Sequence, residues 1–357
     1  MKRSLSFKKD TFSLLLIFFL SFSAFAQEAA DHATESNDTT AAATHHEGAG
    51  KLDIGKVILD HVTDSHVWHL SESVVLGLPV IVYSSERGFD MFSSSHFFEH
   101  HAPVDYNGYR LSEEKIYLTS TGEKVIDFSI TKNVLMLFIN AFFLIVILFG
   151  VSGAYRKNTG KSPKGIQSFI EPVILFVVDG IAKPSIGPQY KRFLPYLLTL
   201  FFFILFGNLL GLLPGAANLT GNIAVTAVLA VLTFLIVNFN GNKTYWGHIF
   251  WTPGVPLWLR PLILVVELIG VFTKPFSLTV RLFVAITAGH IVLLALLSLT
   301  FIFESWFVGF GASIFVIMIS LIELLVAGIQ AYVFTLFTAL YIGSAVVEHG
   351  HETEHSV

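Results

Sequence analysis

The sequence contains no cysteine among its 357 residues. That excludes a disulfide framework and thiolate metal or redox chemistry. Charge is also scarce. Asp, Glu, Lys and Arg make up 13% of the chain, where a soluble domain carries about 25%. The net charge of −4 comes with no basic patch, which points away from nucleic acid as a partner. What fills the space is apolar: 53% of residues, with 35 phenylalanines and a mean hydropathy of +0.67. So much apolar surface requires lipid as its solvent. No motif asks for a cofactor.

The N-terminus reads as a secretory signal. Lys2, Arg3, Lys8 and Lys9 precede an apolar core at 14–22 and the small-x-small site Ala24-Phe25-Ala26. Cleavage after Ala26 is the expectation for residues 1–26, and an extra membrane anchor is the alternative. Either way the next segment starts outside the cytoplasm. Residues 27–50 are polar and low in complexity, the composition of a disordered linker. Residues 51–131 form a small extracytoplasmic domain. There VVLGLPVIVYS, EKIYLTS and EKVIDFSIT are rich in β-branched and aromatic residues and bounded by Gly, Pro and Ser, which predicts short strands.

Residues 132–348 hold five apolar segments, at 134–151, 194–213, 223–237, 261–303 and 308–347. The fold expected is an all-α polytopic membrane domain of about five helices. The first three are near the roughly 20 residues a spanning helix needs. The last two are twice that. A helix of 40 residues is about 60 Å long, so the pair must tilt, bend or break, folded as a hairpin at Glu304. Residues 165–187 are apolar but interrupted by Glu171, Pro172 and Asp179, which suits a helix on or re-entering the membrane surface. Residues 153–192 carry seven Lys or Arg against two acids, and 239–260 carry Lys243 and Arg260. Both loops therefore belong in the cytoplasm, with the N-terminal domain outside and the tail at 349–357 inside.

An ionisable group inside a membrane helix marks an ion path by default. The two long segments hold Glu267, Arg281, His290 and Glu323, with Gln330 as a polar amide. Arg281 is the last Lys or Arg in the chain. Glu267 lies 14 residues before it, on nearly the same face. His290 lies nine residues after it, on about the opposite face. Glu323 and Gln330, seven apart, share a face. Counted from Glu304, His290 and Glu323 lie 14 and 19 residues away, at similar depth in an antiparallel hairpin. They form a candidate proton-relay pair. Plainer readings stand beside these: Arg281 as a structural ion pair with Glu323 or Glu267, His290 as a packing residue, Gln330 as an interhelical hydrogen bond, Glu267 as interfacial. Asn208 reads as a helix–helix hydrogen bond. Outside the membrane, His61, His66 and His69 near Asp64, and His96, His100 and His101 near Glu99, lack a fixed ligand set for a metal; a solvated polar face is the expectation.

The stretch ELIGVFTKPFSLTVRLFVAITAGH (267–290) resembles the hallmark helix of the ATP synthase subunit a family, the stator channel of the F0 sector. ELLVAGIQAYVFTLFTALYI (323–342) resembles its final helix, and RFLPYLLTLFFFILFGNLLGLLPG (192–215) its second spanning helix. The likeness covers about 130–348. It implies that Arg281 faces a ring of c subunits, with Gln330 beside it. It implies that His290 and Glu323 line the outer half-channel, and that Glu267 and Ser277 line the cytoplasmic one. It also implies the b subunit peripheral stalk and the other F-type subunits as partners, and the bacterial inner membrane as location. Many bacterial relatives have Glu at the position of His290 and His at that of Glu323; here the two are exchanged. The frequent Asn four residues after the Arg is Ala285. A secondary transporter is the competing reading, but it should show internal repeats, and none is visible. A membrane scaffold with an outer binding domain leaves Arg281, His290 and Glu323 without a role.

Overall fold

In a computed structural model, the chain is described over residues 64–71, 74–99, 102–112, 115–157, 162–163, 165–213, 216–251, 256–303 and 306–346. The expectations for 1–26, 27–50 and the tail fall outside these residues, as do His61, His100, His101 and Glu304. The chain divides into two compact units. One is Met1–Leu137 with Pro214–Ala217, the other Phe138–Leu213 with Asn218–Val357.

The first unit is antiparallel β. Its strands are β1 (Val67–Ser71), β2 (Val74–Gly77), β3 (Pro79–Ser84), β4 (Gly88–Ser93), β5 (Phe98–Glu99), β6 (Ala102–Pro103), β7 (Tyr109–Ser112), β8 (Lys115–Leu118) and β9 (Ile126–Asp127). They pair as β1–β2, β4–β3–β9, β5–β6 and β7–β8. The β-branched runs named above contain β2, β3, β8 and β9; the other five strands are additional. Alternation in β3 sends Val80 and Val82 inward, where they meet Phe97, Tyr109, Ile116, Leu118 and Val125.

One end of this unit is held by carboxylates. Asp64 accepts hydrogen bonds from the Thr131 hydroxyl (2.7 Å) and from the backbone N–H of Asn133 (3.1 Å). It thereby caps, from 69 residues away, the helix α1 (Lys132–Lys157). A helix start leaves its first N–H groups without partners, and an Asp oxygen satisfies one of them. His66 corrects the expectation of a solvated histidine face. It is 2% exposed, and its Nε2 lies 2.7 Å from Asp127 Oδ2. His96 does remain exposed, stacked on Tyr106. Among the described residues no group of three or more His, Cys, Asp or Glu converges as a metal site would require.

The second unit is helical. After α1 come α2 (Ile166–Leu175), a π-helical stretch (Phe176–Ala182), α3 (Lys183–Ile186), α4 (Tyr190–Gly211), α5 (Ile223–Phe239), α6 (Lys243–Phe250), α7 (Arg260–Phe303) and α8 (Trp306–Val346). The expected apolar segments are all helical, and the two long ones run unbroken for 44 and 41 residues. Among the described residues four helices are long and apolar enough to cross a membrane: Lys132–Lys157, Ile166–Gly211, Arg260–Ser298 and Gly309–Val346. There are five if α5 and α6, bent by 102°, count as one span.

The interrupted stretch before α4 is a packed part of this bundle. Val177, Ile181, Ala182 and Ile186 are buried. The chain then turns at Gly187, whose φ of 70° suits a residue without a side chain. Asn222 opens α5 by accepting from the N–H of Ala224 at 2.9 Å. The hairpin partners α7 and α8 bury Val271, Leu278, Leu282 and Ile286 on one and Ala327, Ala331 and Phe334 on the other. The small residues let the backbones approach closely. Their outer faces carry Phe272, Phe276, Val284, Phe315, Leu321 and Leu325, all exposed, as a surface meant for lipid or another membrane helix would.

Candidate functional site

Two contacts fix how α7 and α8 align. His290 Nδ1 lies 3.6 Å from Glu323 Oε1, and the Arg281 guanidinium sits 4.2 Å from the centroid of the Phe337 ring. As the number on α7 falls by nine, the number on α8 rises by 14, so the helices run antiparallel with the two sites at different depths. Nine residues on an α-helix amount to about 13 Å and half a revolution. His290 and Arg281 therefore belong to two places, not one.

The first place is largely buried. The Glu323 side chain is 3% exposed and that of His290 17%. Glu323 Oε1 is buried with no hydrogen bond among the described residues, because 3.6 Å exceeds hydrogen-bond length. Gly289 packs beside it: a Cβ there would lie in ordinary contact, 3.6 Å from both Cγ and Oε1 of Glu323. A buried carboxylate oxygen without a donor is rare and marks strain, function or a water position. One inserted water, or a small shift, would link acid to imidazole across the 3.6 Å gap.

The second place surrounds Arg281. Among the described residues it has no ion pair and no hydrogen bond; it rests against the face of Phe337. The reading of Arg281 as an ion pair with Glu323 or Glu267 is thus not what the geometry contains. Glu323 faces His290 instead, and Glu267 is exposed about 21 Å away along α7. Gln330 and Ser277 are half-buried, Gln330 two turns before Phe337 on its face of α8 and Ser277 one turn before Arg281.

Lys274 escaped the sequence reading. It stands midway between Glu267 and Arg281, so the three groups fall at seven-residue intervals on one face of α7. Its Nζ lies 5.4 Å from the Tyr341 ring centroid and 5.9 Å from that of Tyr245. Thr233, Asn238, Tyr245, Lys274 and Tyr341 line a narrow cavity of about 10 Å³, room for about one water. The signal was the heptad spacing of Lys274 from Arg281. Tyr245 and Tyr341 carry no such mark, because they come from other helices.

Asn208 joins helices across the bundle. It is 2% exposed. Its Nδ2 donates to the Ala327 carbonyl at 3.1 Å, and its Oδ1 accepts from the Thr220 hydroxyl at 2.5 Å. Ala327 lies one turn beyond Glu323, so this bond steadies α8 between Glu323 and Gln330.

Comparisons with known proteins agree on one family. The family model described as ATP synthase A chain matches residues 134–343. A second, described as a domain of unknown function (DUF8433), matches 57–136. ATP synthase subunit a of Chloroherpeton thalassium is 44% identical over 242 residues, covering 64% of this chain and 72% of the relative. ATP synthase subunit a 2 of Chlorobaculum tepidum is 45% identical over 239 residues, covering 64% and 67%. ATP synthase subunit a 2 of Prosthecochloris aestuarii is 37% identical over 365 residues, 99% of each chain. The first match takes in α5, α7 and the ion-bearing part of α8, and the last extends through the β unit as well. The chain belongs to the ATP synthase A chain family.

Proposed function

We propose that the chain is the proton-translocating a subunit of an F-type ATP synthase membrane sector, with Arg281 as the fixed charge between two offset half-channels. The observation that carries this reading is an arginine mid-way along an apolar helix of 44 residues without an ion-pair partner among the described residues. A guanidinium stays protonated at any working pH. Held beside Phe337, it awaits a carboxylate from another chain, which the family supplies on each subunit of the c-ring.

That ring carboxylate is neutral while it faces lipid. Near Arg281 it ionises, and the fixed positive charge bars a direct proton hop past it. His290 and Glu323 form the outer half-channel, relaying protons between imidazole and carboxylate. Gln330 acts beside Arg281, and Glu267 and Ser277 line the cytoplasmic half-channel; Lys274 stands on that same stretch of α7, beside the cavity it shares with Tyr245 and Tyr341. A proton must then travel round with the ring, driven by about 2.3 kcal/mol per 100 mV.

The charged loop at 153–192 sets the orientation: mature N-terminus and β unit outside, C-terminus in the cytoplasm of a bacterium, in the inner membrane. Residues 1–26 direct export, and 27–50 link to the β unit. The b subunit stalk anchors the chain as stator. ATP chemistry occurs on other subunits, so this one is not itself catalytic.

The test replaces Arg281 with Ala in the assembled complex and follows ATP-driven acidification of inverted membrane vesicles. Pumping should vanish while ATP hydrolysis persists. Pumping that survives, with assembly intact, sinks the proposal.

A further inference from the structure

The sheet β4–β3–β9 has an unusual outer face. Antiparallel sheets at a surface put apolar residues inward and polar ones outward. Here the outward set is Ile81 and Tyr83 on β3, Phe89 and Met91 on β4, and Ile126 on β9. The register pairs Ile81 with Met91 and Tyr83 with Phe89 and Ile126, and paired residues share a face. Phe89 is 70% and Met91 73% exposed. Phe128, just past β9, extends the patch, its ring 6.5 Å from that of Phe89.

Within these three strands no charged residue lies on this face. The acids of the same strands, Asp90 and Asp127, pair with Val82 and so lie on the core side. Both have partners there: the Tyr109 hydroxyl donates to Asp90 at 2.6 Å, and Asp127 meets His66. A contiguous aromatic and aliphatic patch marks a protein or a membrane contact.

We propose that this face docks on lipid, at the headgroup boundary of the leaflet where α1 begins. The tether decides between occupants. Residues 128–131 alone join β9 to Lys132, and four residues reach at most about 14 Å. Asp64 further clasps that junction. The patch is thereby kept within short reach of the start of α1. Tyr and Phe suit that boundary, and the lack of charge within the strands suits acyl chains rather than a protein rim that would need ionic complement.

The natural absence of cysteine makes the test direct. Phe89→Cys, Met91→Cys and a control, Thr121→Cys on an exposed turn, are spin-labelled in the full-length chain in phospholipid nanodiscs. Collision with oxygen, which concentrates in lipid, is compared with collision with a water-soluble nickel chelate. Oxygen should dominate at 89 and 91, and nickel at 121. Nickel dominating at 89 and 91 overturns the proposal, and so does an immobile label shielded from both, which would mean a protein covers the face. Ile126→Cys, on the third strand, repeats the reading should either strand β4 variant fail to fold.

Discussion

Exchanging His290 and Glu323 tests the relay more sharply than removing either. A positioned proton donor and acceptor work within about 2.6–3.2 Å, or through one water. The observed 3.6 Å leaves one small shift or one water to complete the path. His290→Ala or Glu323→Gln removes one end of that hop. Positioned acid–base groups contribute about 10²–10⁴ in rate, so each single variant should lose about a hundredfold in proton flux, taking the low end of that range. His290→Glu combined with Glu323→His keeps one acid and one imidazole across the same gap, in the order many bacterial relatives carry. Glu323 is buried and packs beside Gly289, and an imidazole is the wider group. Flux should therefore return to within about tenfold of the original, a residual barrier of about 1.4 kcal/mol. The assay is passive proton flux through the membrane sector after the soluble sector is stripped, with c-ring co-purification as the assembly check. An assembled exchange variant as inactive as the singles, or singles that conduct undiminished, would refute the reasoning.

Gly343→Ala should disrupt the bundle, because a Cβ there would overlap the backbone carbonyl of Ser185; overpacking of this kind destabilises by about 1–3 kcal/mol, readable as a lower melting temperature in detergent. Phe337→Glu should place a carboxylate where the ring now meets Arg281, satisfying it within the chain; ATP-driven pumping should fall to the level of Arg281→Ala, and a pumping complex would contradict this. In the β unit, burial alone would raise the Asp127 carboxyl, but the hydrogen bond and charge of His66 and the bonds from Ser129 hold it below the usual carboxylate range. A depressed acid contributes stability above its unfolded value of about 3.9, lost as pH falls through the folded value. Amide protection in β3 and β9, corrected for intrinsic exchange, should fall below about pH 4, and Asp127→Asn should flatten that loss.

The helices were legible because lipid leaves the backbone no other choice. Apolar runs at 261–303 and 308–347 give Arg260–Phe303 and Trp306–Val346, since every backbone polar group inside a bilayer must pair within its own segment. The meeting of His290 with Glu323 was legible too, because the residue counts from the turn place them within about one and a half helical turns of the same depth. The β unit was less so. GFDMFS in β4 alternates, but its outward residues are apolar, which hides the period that marks a half-buried strand. The His66–Asp127 pair joins residues 61 apart, and no local pattern announces a buried histidine. Nor does spacing announce that Arg281 would rest on Phe337, because that contact depends on the crossing of two helices.

The company Arg281 keeps explains why its site is incomplete. A central arginine costs a membrane helix about 2.5–3.5 kcal/mol on insertion scales. An aromatic face returns about 0.5–2 kcal/mol of that, so Phe337 alone leaves a deficit. Two acids lie on these long helices, and each is placed where it cannot close it. Glu323 is turned to His290, at the depth of residue 290 rather than 281. Glu267 sits two heptads down the same face, with Lys274 between. An internal acid within reach of Arg281 would be a permanent partner, and a permanently paired arginine could not release one ring carboxylate and receive the next. Keeping both acids at a distance leaves the guanidinium charged, partly desolvated and free to exchange. On the proposed function, the deficit would be met in turn by each carboxylate that arrives from outside the chain.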